Sequence, residues 1–331
     1  MNRKLLCLIL TIALTCAALV SCGTQPENNG LKPVTVVLDW FANTNHTGLY
    51  AALDKGYFAD EGLDVKIIEP GDSSSIDLVA AKQAEFGVGY QEGVTQARST
   101  GTPVPVTAIC AVIQHNTSAL SATSDKGIKG VEDFQGKTYG GFGSPIEDAV
   151  IACLMKKYGL DPESVNSVVI GEMDFFAALK NTVDFSWIYE GWTGVEAQVR
   201  GVGLDSVFLR DEDERLDYYT PVLISHDDYL AANPDTAKAF MRAVTKGYAL
   251  CASDPEAAAD ILLKYSPELD RELVVASQKY LADKYIDDAP RFGEMKLSVW
   301  EGFAGFLDEY GLLENEFDAE GAFTNDYLPA K

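Results

Sequence analysis

The sequence predicts an α/β protein with two domains, the second inserted into the first, so that the chain crosses between them twice. Three observations predict this fold class. Short β-rich runs alternate with helical runs from residue 34 onward, which is typical of βαβ units and a largely parallel sheet. The alternation restarts near residue 137, and from residue 228 the pattern is helical to the end. The length of 331 residues suits two domains of ordinary size.

The first series of elements follows from β-rich runs, helical spacing and stop signals. Asn45 or Thr44 can cap the first helix, and Gly56 can end it. We predict strands at residues 34–38, 64–69, 86–90 and 104–113, and helices at residues 47–55, 75–82 and 93–99.

The second series repeats this alternation and then becomes helical. We predict strands at residues 137–141, 165–170, 185–188 and 218–225, and helices at residues 145–158, 174–180, 194–200, 234–251, 255–265, 271–285 and 296–310. The simplest division gives a first domain of residues 33–122 and 223–331, with the C-terminal helices, and a second domain of residues 123–222. Candidate crossovers lie near residues 121–125 and 219–225.

The N-terminus has the pattern of a signal peptide that ends at a lipidated cysteine. Arg3 and Lys4 precede an apolar run at residues 5–20, and Ser21-Cys22-Gly23 follows, which resembles the bacterial lipobox. We predict a signal peptide at residues 1–21, lipidation of Cys22 and a polar tether at residues 22–32. A plain signal peptide and an uncleaved anchor are the alternatives.

The charge and the cysteine spacing exclude several functions. The formal charge of −24 argues against nucleic-acid binding and against docking on anionic lipid through a basic patch. No two cysteines have CxxC spacing, so no structural zinc site is predicted. Cys110, Cys153 and Cys251 lie in apolar stretches and are predicted to be buried thiols. A single disulfide between two of them is the alternative.

The candidate binding residues follow the predicted strands, because ligands of open α/β sheets bind beyond the carboxyl ends of strands. These loops are polar and aromatic together, which favours a cleft for a small, flat, hydrogen-bonding molecule. The candidate ligand-binding residues are Trp40, Asn43, His46, Tyr90, Gln114, His115, Asn116, Ser144, Tyr189, Glu190 and Trp192.

Each candidate also has a structural interpretation. A tryptophan at a strand end often packs in the core, a lone histidine is often only hydrogen-bonded, and Glu190 could cap the helix that follows it. The sequence contains no GxSxG elbow, no P-loop and no HExxH motif. We therefore predict no catalytic residue, no metal and no cofactor.

Several segments resemble the thiamine-pyrimidine family of periplasmic-type binding proteins, which includes ThiY-like transporter components and the fungal pyrimidine synthase. These segments are LDWFANTNHTGLYAALDKGYFADEGLDV, FGVGYQEGV, QHNTS and WIYEGW. The resemblance as a whole covers residues 34–306. The resemblance implies the type II Venus flytrap fold with two hinge crossovers. It also implies a formylated aminopyrimidine or similar thiamine precursor as ligand, stacked on aromatic rings and hydrogen-bonded by an acid. Trp40, Asn43 and His46 match the family's first loop, and the matches in its second-domain loop are Tyr189, Glu190 and Trp192.

The expected function is that of a monomeric, lipid-anchored, extracytoplasmic receptor that delivers an aminopyrimidine to the permease of an ABC importer. A receptor for a flavin or an aromatic sulfonate is the first alternative. The strand-end loops contain no arginine, which argues against a sulfonate. A pyrimidine synthase is the second. The fungal synthase uses the matching histidine as a nitrogen donor and needs a lysine for pyridoxal phosphate and a cysteine-rich iron motif. No lysine lies between His46 and Lys55, and no cysteine cluster is present.

Overall fold

The computed structural model describes residues 30–71, 73–171 and 173–330. The predicted signal peptide, Cys22 and all but the last residues of the predicted tether lie outside the described residues. Within those three ranges, no helix is both long enough and apolar enough to cross a membrane.

Ten strands of the described chain form two five-stranded sheets. The strands are β1 Lys32–Val37, β2 Leu63–Ile68, β3 Phe86–Gly89, β4 Val106–Ala111, β5 Ser118–Thr123, β6 Thr138–Gly141, β7 Asn166–Val169, β8 Phe185–Tyr189, β9 Leu204–Phe208 and β10 Val222–His226. The first sheet has the order β2-β1-β3-β10-β4, and the second has the order β7-β6-β8-β5-β9.

The sheets are largely parallel, as predicted, with one antiparallel strand in each. In the first sheet β1 pairs parallel with β2 and β3, whereas β10 is antiparallel to β3 and β4. In the second sheet β6 pairs parallel with β7 and β8, whereas β5 is antiparallel to β8 and β9. The antiparallel strand is in each case the one that enters directly from the other sheet.

The two crossovers occupy residues 112–117 and 209–221, because β4 ends at Ala111, β5 begins at Ser118, β9 ends at Phe208 and β10 begins at Val222. The predicted crossover at residues 121–125 is wrong, since residues 118–123 form β5 in the second sheet. Sheet membership supports a domain boundary before Ser118 rather than after residue 122, and the division into domains stays a proposal.

The helices lie between and after the strands. They are α1 Thr47–Asp54, α2 Tyr57–Asp60, α3 Ser75–Ala80, α4 Gln91–Arg98, α5 Pro145–Lys157, α6 Phe175–Asn181, α7 Val195–Val199, α8 Leu209–Glu212, α9 Asp227–Ala232, α10 Pro234–Ser253, α11 Pro255–Tyr265, α12 Arg271–Leu281, α13 Leu297–Glu309 and α14 Ala319–Ala322.

Each sheet has its own hydrophobic core. Phe86 stacks on Phe240 in the first core with ring centroids 4.0 Å apart, and Phe134 stacks on Phe185 in the second at 4.3 Å. The helices α10, α11 and α12 pack on the first core, as predicted for the C-terminal part. Helix α13 instead contributes three buried side chains to the second core, Phe303, Phe306 and Leu307.

A close helix crossing fixes the loop that follows β1. Helix α1 meets α10 where Gly48 faces Gly247, and a Cβ on Gly247 would lie 2.0 Å from the carbonyl oxygen of Gly48. Beside this crossing, the Tyr248 hydroxyl donates a hydrogen bond to the carbonyl oxygen of Asn45 at 2.6 Å. The loop at residues 38–46 is therefore held against α10 at the carboxyl end of β1.

Candidate functional site

The loop after β1 is organised around a fully buried histidine. His46 has no exposed surface. Its Nδ1 accepts a hydrogen bond from the backbone N–H of Asn43 at 3.1 Å, and its Nε2 lies 2.5 Å from Oδ1 of Asp39. Because Nδ1 is an acceptor, the proton of the neutral ring is on Nε2, which donates to Asp39. Both ring nitrogens are thus engaged within the loop.

Asn43 has a capping role in this loop. Its Oδ1 accepts from the backbone N–H of Asn45 at 3.0 Å, and its Nδ2 donates to the carbonyl oxygen of Phe41 at 3.0 Å. Asparagine is a favoured residue at the start of a helix for this reason. Asn43 and His46, both predicted to bind ligand, therefore make contacts that shape the loop and orient Asp39.

Trp40 lies where loops of the two sheets meet. Its side chain is 39% exposed, and its ring makes an edge contact with Phe142, with centroids 6.1 Å apart. Phe142 follows β6 of the second sheet and is 51% exposed. The structure thus brings Trp40 to the loop that contains Ser144, another predicted residue, and gives this place two accessible aromatic rings.

A single carboxylate organises the loop after β6. Glu147, in the first turn of α5, is 5% exposed. Its oxygens accept from the Tyr139 hydroxyl at 2.6 Å and from three successive backbone N–H groups, those of Phe142 at 3.0 Å, Gly143 at 2.9 Å and Ser144 at 2.9 Å. Ser144 completes a capping box with Glu147. The position of Phe142 therefore depends on Glu147.

Acids and phenols converge behind the aromatic contact. The hydroxyl of Tyr90 donates to the carbonyl oxygen of Asp39 at 3.3 Å. Burial, followed by the negative charge of Asp39, raises the pKa of Tyr90, and burial followed by the charge of Glu92 raises the pKa of Tyr189. Tyr90 directly follows β3 of the first sheet, and Tyr189 is the last residue of β8 in the second. The structure thus places these two predicted residues around the same pair of acids.

Glu92 is an acid near Asp39 that is not among the predicted residues. Burial, opposed by a backbone hydrogen bond and reinforced by the charge of Asp39, raises its pKa to about 8. Its Oε2 atom is buried and has no hydrogen-bond partner in the described part of the chain. Its position two residues after Tyr90, at the end of a predicted strand, is the one sequence signal that could have indicated it. Because the chain has 50 acidic residues, the presence of one carboxylate in such a loop does not indicate a site.

The predicted residues His115 and Asn116 lie in the first crossover and form hydrogen bonds with the second crossover. His115 Nδ1 is 2.6 Å from Oδ2 of Asp217, and the backbone N–H of Asn116 donates to Oδ1 of Asp217 at 2.8 Å. The side chain of Asn116 also donates to the carbonyl oxygen of Leu216 at 2.8 Å. Burial alone would lower the pKa of His115, but the hydrogen bond and charge of Asp217, with the charge of Asp288, raise it. These contacts join the two connections between the sheets.

Gln114, next to His115, is 4% exposed. Its Nε2 has no hydrogen-bond partner among the residues described. A buried amide without a partner is costly. Gln114 is therefore the member of this motif whose side chain keeps an unpaired hydrogen-bond donor within the described residues.

The predicted acid Glu190 begins a π-helical turn, Glu190–Gly194. Its Oε1 accepts from Nε2 of Gln198 at 3.2 Å, and its carboxylate lies over Gly194, where a Cβ would come 2.1 Å from Oε2. Burial raises the pKa of Glu190, although the hydrogen bond from Gln198 opposes this. Trp192, in the same turn, packs on the core of the first sheet. The described hydrogen bond of Glu190 is thus made within the segment that follows β8.

A serine on α12 links the first loop to the π-helical turn. The hydroxyl oxygens of Thr44 and Ser277 are 2.5 Å apart, and Ser277 donates to the carbonyl oxygen of Gly191. Thr44 follows β1 and Gly191 follows β8, so this chain of hydrogen bonds fixes the distance between loops of the two sheets. Over the described ranges, no group of three His, Cys, Asp or Glu side chains is arranged to hold a metal ion.

Comparison with known proteins shows which families the sequence resembles. A family model described as NMT1/THI5 like matches residues 43–258. A formylaminopyrimidine-binding protein of Halalkalibacterium halodurans is 28% identical over 96% of this chain and 98% of its own length. A 4-amino-5-hydroxymethyl-2-methylpyrimidine phosphate synthase of Legionella pneumophila is 26% identical over 89% of this chain and 92% of its own.

The fold also occurs among solved structures. The alkanesulfonate-binding protein SsuA of Xanthomonas axonopodis pv. citri superposes with a TM-score of 0.68 at 14% identity, over 88% of this chain and 98% of its own. The two-domain periplasmic-binding-protein fold predicted from the sequence is thereby confirmed. At this identity the likeness concerns the fold alone.

Proposed function

Because this chain belongs to the NMT1/THI5-like family, we propose that it is an extracytoplasmic solute receptor for a thiamine pyrimidine precursor, an aminopyrimidine of the formylated kind. The ligand lies between the loops at the carboxyl ends of β1 and β3 and those after β6 and β8. The relative from Halalkalibacterium halodurans, which is named for a ligand of this class and aligns over nearly the full length, supports the choice of ligand.

The observation that carries the proposal is the meeting of Trp40 and Phe142 from different sheets, with ring centroids 6.1 Å apart. A flat heterocycle can stack on such rings while its edge reaches the polar groups behind them, Asp39, Tyr90 and Tyr189. Because the rings come from different sheets, a bound ligand would hold both sheets in one arrangement.

Anchoring and delivery complete the proposal. Lipidation of Cys22 would hold the monomeric receptor at the outer face of the cell membrane, and the polar tether at residues 22–32 would leave it free to meet the permease of an ABC importer. The N-terminal pattern supports this location, as does the binding-protein fold.

Pyrimidine synthesis is the second candidate, because several similar proteins are named as synthases. The environment of His46 favours binding instead. A histidine that gives up ring nitrogen must be reachable, whereas His46 is 0% exposed and both its nitrogens are hydrogen-bonded.

Calorimetric titration of the purified protein with formylated aminomethyl-aminopyrimidine, riboflavin and an aromatic sulfonate tests the proposal. We expect saturable one-site binding of the pyrimidine and binding weaker by at least about 100-fold for the other two, a difference of about 2.7 kcal/mol. Tighter binding of riboflavin or sulfonate would contradict it. Incubation with pyridoxal phosphate and ferrous iron, followed by mass spectrometry of the His46 peptide, tests the synthase: a loss of mass at His46 would favour the enzyme.

A further inference from the structure

We propose that Ser277 on α12 is a latch that holds the loops of the two sheets together, and that it does so before a ligand binds. The closed arrangement is the one described above, in which α12 joins the loop after β1 to the turn after β8. In an open arrangement the turn has separated from α12. The inference goes beyond the proposed function, which concerns what is bound, and only the ligand part of its test rests on that function.

The hydrogen bonds of Ser277 have a defined direction. Its hydroxyl donates to the carbonyl oxygen of Gly191, in the turn after β8. A hydroxyl group has a single hydrogen, so in the contact of 2.5 Å with Thr44 the donor is Thr44 and the acceptor is Ser277. Thr44 follows β1 of the first sheet. One side chain therefore connects a loop of the first sheet with a turn of the second.

The bond that breaks on opening is the one to Gly191. Thr44 is attached to the α12 side a second time, because its carbonyl oxygen accepts from the Tyr285 hydroxyl at 3.3 Å, and that hydroxyl accepts from Gln278 on α12 at 2.7 Å. Helix α12 itself packs on the core of the first sheet. The loop after β1 and α12 therefore form one unit, and the turn after β8 is the part that can separate from it.

Burial gives the latch its effect on the equilibrium. Ser277 is 0% exposed, Thr44 is 1% exposed and Gly191 is buried. In the closed arrangement a carbonyl oxygen that lost its donor would have no water to replace it. In an open arrangement water reaches both the hydroxyl and the carbonyl. The hydrogen bond therefore stabilises the closed arrangement relative to the open one.

Close packing surrounds the same bond. A Cβ on Gly191 would lie 2.8 Å from Cδ2 of Leu281 and 3.4 Å from the ring of Tyr280, and both of these side chains are on α12. The next residue, Trp192, packs on the core of the first sheet. All of these contacts are between groups of the protein. Closure therefore has a favourable free energy of its own, and the ligand-free protein populates the closed arrangement.

A latch has a kinetic signature that a ligand contact does not have. Ligand enters and leaves through the open arrangement, so a weaker latch speeds both association and dissociation. Because Ser277 acts through the loops that it joins, it is a positioning residue, and its loss should change the rates by the same factors for every ligand of the cleft. Loss of a ligand contact instead speeds dissociation and leaves association unchanged.

Stopped-flow fluorescence with the formylated aminopyrimidine, and with the same pyrimidine without its formyl group, tests the latch on the wild type and Ser277→Ala. Small-angle scattering of the ligand-free proteins tests it without any ligand. Ser277→Ala should dissociate about tenfold faster, the equivalent of about 1.4 kcal/mol, and associate up to about threefold faster, with equal factors for both pyrimidines. Its ligand-free form should have a larger radius of gyration, while its melting temperature should change little.

Two further variants complete the experiment. Gly191→Ala should show the same signature, because its Cβ pushes the turn away from Leu281. Ser253→Ala is the matched control, because Ser253 is exposed on α10 and its hydroxyl donates only to carbonyl oxygens of its own helix. Its rates and radius of gyration should equal those of the wild type.

The outcomes separate the two claims. If Ser277→Ala melts at a lower temperature but keeps the wild-type rates and radius of gyration, Ser277 has a structural role only and the latch is wrong, while the proposed function stands. Faster dissociation of one pyrimidine alone, with unchanged association, would make Ser277 a ligand contact and would also overturn the latch. If the wild type binds neither pyrimidine, the proposed function fails, and the radii of gyration of the ligand-free proteins decide on the latch.

Discussion

Glu147 is expected to determine both the stability of the second-sheet loop and the affinity for ligand, and Glu147→Gln tests this. Its Oε1 accepts from the hydroxyl of Tyr139 and the backbone N–H of Phe142, while Oε2 accepts from the backbone N–H groups of Gly143 and Ser144. A glutamine can keep its oxygen at only one of these two places. With the oxygen facing Gly143 and Ser144, its NH₂ group can donate to the Tyr139 hydroxyl, but the backbone N–H of Phe142 loses its acceptor.

The expected loss follows from that donor. An unsatisfied buried donor costs about 1–3 kcal/mol, so Glu147→Gln should lower the free energy of unfolding by about 1–3 kcal/mol. Because Phe142 is carried on this loop, affinity for the aminopyrimidine should also fall. Urea denaturation followed by circular dichroism measures the first effect, and calorimetry measures the second.

Glu163→Gln is the matched control, because Glu163 is exposed and its side chain makes no hydrogen bond within the described ranges. It should change the free energy of unfolding by less than about 0.5 kcal/mol. If Glu147→Gln is also within about 0.5 kcal/mol of wild type, the four hydrogen bonds do not hold the loop and the reasoning is refuted.

Three further predictions concern other parts of the chain. Asp217 raises the folded-state pKa of His115, so the stabilisation is present below the unfolded-state pKa and is lost as pH rises through the raised value. Urea denaturation at pH 5.5 and pH 8.5 should therefore show a smaller pH dependence for His115→Gln, and an unchanged dependence would contradict this. Trp40→Ala should weaken ligand binding by about 1–3 kcal/mol, the value for stacking of a base on an aromatic ring. The free energy of unfolding should change little, because Trp40 is 39% exposed. Equal affinity of the variant and the wild type by calorimetry would argue against stacking. Cys22→Ser should release the protein from the membrane fraction or block its processing, whereas normal processing with membrane retention, seen by immunoblot, would rule out lipidation.

The sequence pattern predicted the elements with strong local signals. The strands at residues 86–90 and 185–188 and the capped helices after Ser144 and Pro255 match β3, β8, α5 and α11 closely. The strand β5 was missed because its sequence, Ser-Ala-Leu-Ser-Ala-Thr, is built of small residues with little β propensity. It is a strand because it pairs with β8 and β9, and that pairing depends on residues far along the chain.

The candidate site shows the same division between local and distant causes. Trp40, Tyr90 and Tyr189 could be found because each follows or ends a strand, and sheet edges collect such residues. His46 and Asn116 are fully buried and hydrogen-bonded. This depends on tertiary packing, which a single sequence does not reveal. The unpaired state of Glu92 likewise depends on which atoms from distant segments surround it.

The central claim is that an aminopyrimidine binds between the loops of the two sheets, and a crystal structure of the complex tests it most directly. We predict the pyrimidine ring within van der Waals contact of Trp40, at about 3.5–4 Å, with its polar edge within hydrogen-bond distance, about 2.7–3.2 Å, of the polar groups behind that ring. A ligand bound outside the cleft would contradict the proposed function.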